Sequence, residues 1–138
     1  MRNIDIKLID AVGDGNLKAV EAYIRIGADI HIENDYALRM ASEQGLLKIV
    51  ELLLSYGADV HALSDYSLKW ASSLGNFEVV KLLLAHGADV HADNECSLIW
   101  ACRQNHADII EILMSYGADT HANHCAALKT RYFGGRGN

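Results

Sequence analysis

The chain has 138 residues, 51% of them apolar and 22% charged, with no proline, and its 18 acidic against 12 basic side chains give a formal charge of −6. That length suits one domain, and the composition describes a globular chain rather than a disordered or fibrous one. The acidic balance supplies no counterion release to drive binding to a phosphate backbone, so nucleic acid is not an expected partner; no apolar run approaches the ~20 residues of a membrane span, so a membrane is not expected either.

At the amino terminus, charges interrupt residues 1–7 before a signal-peptide core could form, which points to the cytoplasm, with the nucleus also open to such a chain. From residue 4 onward one pattern governs. Gly-Ala-Asp stands at 27–29, 57–59, 87–89 and 117–119, a constant period of 30 residues, and the flanking positions fall into register with it. Leu8, Leu38, Leu68, Leu98 and Leu128 share a column, as do Ala11, Ala41, Ala71 and Ala101, and Val20, Val50, Val80 and Ile110. A fixed period of this size is the signature of a repeat array. The expected units are 4–32, 33–62, 63–92 and 93–122, then a partial fifth at 123–133 and a disordered tail at 134–138.

Unit one is more polar, with Lys7, Asp10 and Asp14, and carries Ala19 and Ala22 where later units have larger side chains, so it is expected to cap the array. Each unit reads as helix, turn, helix, loop. Gly45 and Gly75 fall where the first helix must close in a left-handed conformation, and Asn105 is the other residue type that tolerates it. The apolar residues of the second segment, such as Ile49, Val50, Leu53 and Leu54, recur at helical spacing and are core. Trp70 and Trp100, in one column with Met40, are expected to pack between core positions. Asp35 and Asp65 are expected to cap the first helices of their units, with Glu95 a poorer substitute.

In Gly75-Asn76-Phe77-Glu78-Val79-Val80-Lys81-Leu82-Leu83-Leu84 followed by Gly87-Ala88-Asp89-Val90, the chain resembles the ankyrin-repeat family over residues 5–128. The resemblance implies an all-α helical solenoid. The usual ankyrin period is about 33 residues and its first helix opens Thr-Pro-Leu-His. Here the unit is three residues shorter and the corresponding positions read Tyr36-Ala37-Leu38-Arg39, Tyr66-Ser67-Leu68-Lys69 and Cys96-Ser97-Leu98-Ile99, so the projecting hairpin loop should be clipped. Units of the form Asp-Tyr-Ala/Ser-Leu-x-Trp/Met-Ala-Ser look most like those of ankyrin proteins encoded by giant amoeba-infecting viruses.

His31, His61, His91 and His121 form the column that most invites a metal or catalytic reading. Geometry argues against it. Equivalent residues of stacked units sit about a helix spacing apart, ~8–10 Å, whereas two nitrogens sharing a zinc must each come within ~2.0–2.1 Å of it. These histidines stand where ankyrin repeats usually carry an asparagine that bonds the loop backbone, and a structural role is expected of them. Cys96, Cys102 and Cys125 make neither an even set nor a Cys-x-x-Cys pair and read as reduced thiols in or near the core. No nucleophile-and-base set stands in a break of the pattern. Neither an enzyme, a cofactor nor a metal is expected.

What remains is a surface. The positions that vary while the scaffold columns hold are Glu33, Asn34, Leu63, Ser64, Asp93 and Asn94 in the loops, and Glu43, Gln44, Ser73, Leu74, Arg103 and Gln104 at the first-helix ends. Tyr56, His86 and Tyr116 before Gly-Ala-Asp vary as well, and Tyr36 and Tyr66 offer rigid amphipathic contact area. These are the expected protein-binding residues of a non-catalytic interaction module, a viral effector engaging a host protein being the form the resemblance suggests. The alternative is a short array that self-associates through its thinly capped carboxy-terminal end instead of remaining monomeric. There Ile109, Ile112, Leu113 and Met114 would need cover from residues 126–133.

Overall fold

The computed structural model describes residues 2–120. The fifth unit, the tail, His121, His124 and Cys125 lie outside them. The described residues form eight helices and no strand: α1 Asn3–Gly13, α2 Leu17–Arg25, α3 Ile32–Glu43, α4 Leu47–Ser55, α5 Ala62–Leu74, α6 Phe77–Ala85, α7 Ala92–Arg103 and α8 Ala107–Ser115. Each odd helix packs on the even helix that follows it, and the pairs stack in two layers. The odd helices approach one another more closely than the even ones do, so the stack curves toward the odd, inner layer.

The leucine column is the axis of the core. Leu8, Leu38, Leu68 and Leu98 are all fully buried, joined by Val20, Val50, Val80, Leu53, Leu83, Ile109 and Leu113 from the second layer. Unit one ends the stack differently, because α2 buries only Val20 whereas α4 and α6 each bury four side chains. At the other end Ile109 and Leu113 are buried and Ile112 and Met114 partly so.

The first helices close as their sequence predicts. Gly45 and Gly75 are left-handed at φ 72° and 83°, and Asn105 follows at 64°. Two of these glycines also have no room for a side chain: a Cβ on Gly45 would fall 2.9 Å from Asn76 Oδ1 and one on Gly75 2.8 Å from the His106 ring. Those two neighbours reach back from the next unit. Asn76 Nδ2 donates to the Ser42 and Glu43 carbonyls, and His106 Nε2 lies 3.0 Å from the Ser73 carbonyl.

The clipped loop takes a form the sequence did not announce. Glu33-Asn34-Asp35, Leu63-Ser64-Asp65 and Asp93-Asn94-Glu95 each have three consecutive left-handed residues, φ between 51° and 65°, before the right-handed helix resumes. An L-residue there costs ~1–2 kcal/mol, and such residues ordinarily occur singly. Asp35 and Asp65 are therefore not simple helix caps. They sit inside the left-handed turn, buried, and each carboxylate reaches forward to the end of its own unit.

That reach forms a ladder. Asp5 Oδ1 accepts from the Asp29 amide at 2.8 Å, Asp35 Oδ2 from Asp59 at 2.7 Å, Asp65 Oδ2 from Asp89 at 2.7 Å, and Glu95 Oε2 from Asp119 at 3.1 Å. Glu95, one methylene longer, thus keeps the fourth unit tied, at the longest of the four distances. The side chains of Asp29, Asp59 and Asp89 in turn accept from the amides of His31, His61 and His91, each at 2.8 Å.

Two stability predictions follow from this architecture. Leu68→Ala should cost roughly 2–5 kcal/mol in urea unfolding, the range for a buried leucine; a loss below about 1 kcal/mol would contradict the core assignment. Ser64→Gly should stabilise by roughly 0.5–1 kcal/mol, because glycine relieves the left-handed strain at an exposed position, while Ser64→Val should destabilise.

Candidate functional site

A helix turns about 100° per residue, so a residue two places after a core leucine points roughly 200° away from it. Trp70 and Trp100 stand in that relation to Leu68 and Leu98. They are accordingly not core residues as their column suggested, but 42% and 38% exposed on the inner layer. With Lys69, Ser73 and Cys96 they line a groove of ≈ 130 Å³ between α5 and α7.

Tyr66 flanks this groove, its ring centroid 6.0 Å from that of Trp70 and its hydroxyl donating to Glu43 Oε1 at 2.8 Å. Burial, then the Glu43 carboxylate, raises the Tyr66 phenol above its ordinary pKa. The Arg39 guanidinium lies between two rings, 5.3 Å from the centre of Tyr36 and 5.1 Å from that of Tyr66. Its Nε and Nη2 donate to the carbonyls of Asn34 and Glu33 at 2.9 and 2.7 Å, fixing the left-handed turn against the inner helix. Lys69 makes the corresponding tie to the next turn by pairing with Asp93. Arg103 stacks over Trp100 at 5.3 Å. Burial raises the Cys96 thiol, which therefore stays protonated at neutral pH and serves as groove lining.

The expected surface residues divide into three sets. Glu33, Asn34, Leu63, Ser64, Asp93 and Asn94 are exposed at the left-handed turns, contiguous with the inner face through Arg39 and Lys69. Tyr36, Glu43, Tyr66, Leu74, Arg103, Gln44 and Gln104 lie along the inner helices or at their ends, whereas Ser73 is buried at the groove. Tyr56, His86 and Tyr116 are exposed at the ends of α4, α6 and α8, in the other layer. Arg39, Lys69, Trp70, Cys96 and Trp100 were not singled out from the sequence for this surface; the angular offset from Leu68 and Leu98 would have found both tryptophans.

The histidines are bound into the ladder. His31 Nδ1 lies 3.1 Å from the Asp35 carboxylate and His61 Nδ1 2.9 Å from that of Asp65, and His91 Nδ1 pairs with Glu95. In unit one Arg2 takes this place, donating to Asp5 and to the Gly27 carbonyl. The Asp29 amide and then Arg2 hold the Asp5 carboxyl below its usual pKa. Among the described residues no three His, Cys, Asp or Glu side chains converge as a metal site, and no helix is long and apolar enough to cross a membrane.

A sequence model of ankyrin repeats in three copies matches residues 8–94 and again 63–124. The chain belongs to the ankyrin-repeat family. Ankyrin repeats are generally protein–protein interaction modules, and proteins built from them are typically non-catalytic adaptors. No curated protein matches this ankyrin chain.

The ladder makes stability depend on pH. Hydrogen bonds to Asp65 and Glu95 raise the pKa values of His61 and His91 in the folded state. A raised folded pKa contributes stability that is complete below the unfolded value of ~6.5 and is lost as pH rises through the folded value. The urea midpoint should therefore fall between pH 6 and 9, and the fall should shrink in the double variant His61→Gln, His91→Gln. An equal fall in both proteins would refute the assignment.

Proposed function

We propose that this ankyrin array is a non-catalytic module that binds a protein partner through its inner face, centred on the groove between α5 and α7. The observation that carries the reading is the exposure of Trp70 and Trp100 on a rigid helical layer. A large indole left in water forfeits burial that a partner would restore, and tryptophan, tyrosine and arginine are the residues that dominate interface energetics. All three types stand together here, in Tyr36, Arg39, Tyr66, Trp70, Trp100 and Arg103. The left-handed turns, with Glu33, Asn34, Leu63, Ser64, Asp93 and Asn94, form the rim.

The loop and helix-end residues extend that face, while Tyr56, His86 and Tyr116 form a separate row and are secondary in this reading. The finer assignment, a viral effector acting on a host protein in the host cytoplasm, rests on the likeness of the Asp-Tyr-Ala/Ser-Leu-x-Trp/Met-Ala-Ser unit to repeats of giant amoeba-infecting viruses.

Selection of binders from host lysate, repeated with variants, tests the surface. Trp70→Ala with Trp100→Ala should abolish the captured partner, while Tyr56→Ala with Tyr116→Ala should retain it, all with unchanged circular dichroism. The reverse order would move the binding site to the second layer.

A further inference from the structure

We infer that the partner segment recognised by the inner groove is an acidic peptide with an apolar anchor: a leucine- or phenylalanine-sized side chain between Trp70 and Trp100, flanked by carboxylates that reach Arg103 and Arg39. This rests on the reading of the inner face as the binding surface, and adds the chemistry of what binds.

Size gives the anchor. The groove holds ≈ 130 Å³ and is lined by two indoles, the Cys96 thiol, Ser73 and the stem of Lys69. An apolar cavity of ~150 Å³ accommodates a benzene ring, so this one takes a single branched or aromatic side chain.

Charge gives the flanks. The chain as a whole carries −6, so what matters at the groove is which charges there are already paired. Glu43 is engaged by the Tyr66 hydroxyl and Asp93 by Lys69, so both acids nearest the groove are occupied. The two guanidiniums are not matched by carboxylates. Arg39 is held by two backbone carbonyls and two tyrosine rings, and Arg103 by the Trp100 ring, and neither makes an ion pair among the described residues. Rings and carbonyls orient a guanidinium while leaving its charge uncompensated, which is the arrangement that gains most from a bidentate carboxylate. Aromatic rings beside arginine also suit stacked nucleobases. Two guanidiniums with no basic track leading away from the groove suit the one or two carboxylates of a short peptide better than a long polyphosphate chain.

Both tryptophans of the chain line the groove, so intrinsic fluorescence reports on it directly. With the full chain at low ionic strength, iodide should quench more efficiently than caesium, each normalised to acrylamide, and the double variant Arg39→Gln, Arg103→Gln should remove the difference. Caesium equal to or better than iodide in the unaltered protein would overturn the charge argument. In the second arm, a heptapeptide display library is selected on the full chain. The expected binders combine Asp or Glu with Leu or Phe, shift the tryptophan emission, and lose affinity about tenfold on the double arginine substitution. Neutral or basic binders that still shift the emission would overturn the acidic peptide and leave the groove standing. Binders that leave the emission unchanged would overturn the groove itself. Quenching by oligothymidylate with no selectable peptide, or no emission-shifting binder at all, would also count against the inference.

Discussion

A carboxylate at the start of each inner helix accepts a hydrogen bond from the amide that closes the same unit, and the geometry of the stack depends on that bond. It joins the two ends of a unit that hydrophobic burial alone would leave free to slide, since the leucine column is nearly featureless along the stacking direction. Because the same aspartate at the end of one unit accepts from the amide of the histidine two places on, and that histidine's ring pairs with the carboxylate of the next unit, register passes from unit to unit through one continuous polar line. Hydrogen bonds to charged groups contribute ~1.5–3 kcal/mol each, comparable to the strain of the left-handed residues that position the carboxylates.

The short period and the left-handed turn are two sides of one constraint. A chain that must connect an outer helix to the next inner helix without a projecting hairpin has to reverse direction tightly, and three left-handed residues do this while burying the third as the ladder carboxylate. Arg39 then closes the turn by binding its exposed carbonyls, and its guanidinium is thereby brought over the inner face. Scaffold and binding surface are coupled at that side chain, because the cation that satisfies the loop also faces the groove.

Much of this was legible in the sequence. Strict columns of leucine, alanine and glycine dictate a two-layer helical stack, and the family resemblance carried by Gly75–Val90 identified it. The sequence suggested a bond to loop backbone for the histidine column, whereas the rings of His31, His61 and His91 each pair with a carboxylate four residues on. The left-handed turns were hidden because Leu63, Ser64 and Glu33 have no intrinsic preference for that conformation; tertiary bonds impose it. Trp70 and Trp100 were misjudged because hydrophobic residues in a regular column suggest core, whereas their angle to the buried leucine places them in solvent. Ser73 differs in the opposite sense: it is buried rather than exposed, lining the groove, with His106 Nε2 reaching its carbonyl.

The carboxylate ties all close over 24 residues, and no hydrogen bond among the described residues links units that are not adjacent. Topologically the molecule is a string of small closed rings rather than a single knot of distant contacts, so its contact order does not grow with its length. Such a chain can be lengthened by duplicating a unit without disturbing any existing bond, and its folding can begin at any ring. The corresponding weakness is that nothing distant compensates for a broken ring. Loss of one carboxylate would loosen the closure of its own unit and the junction with the unit before it.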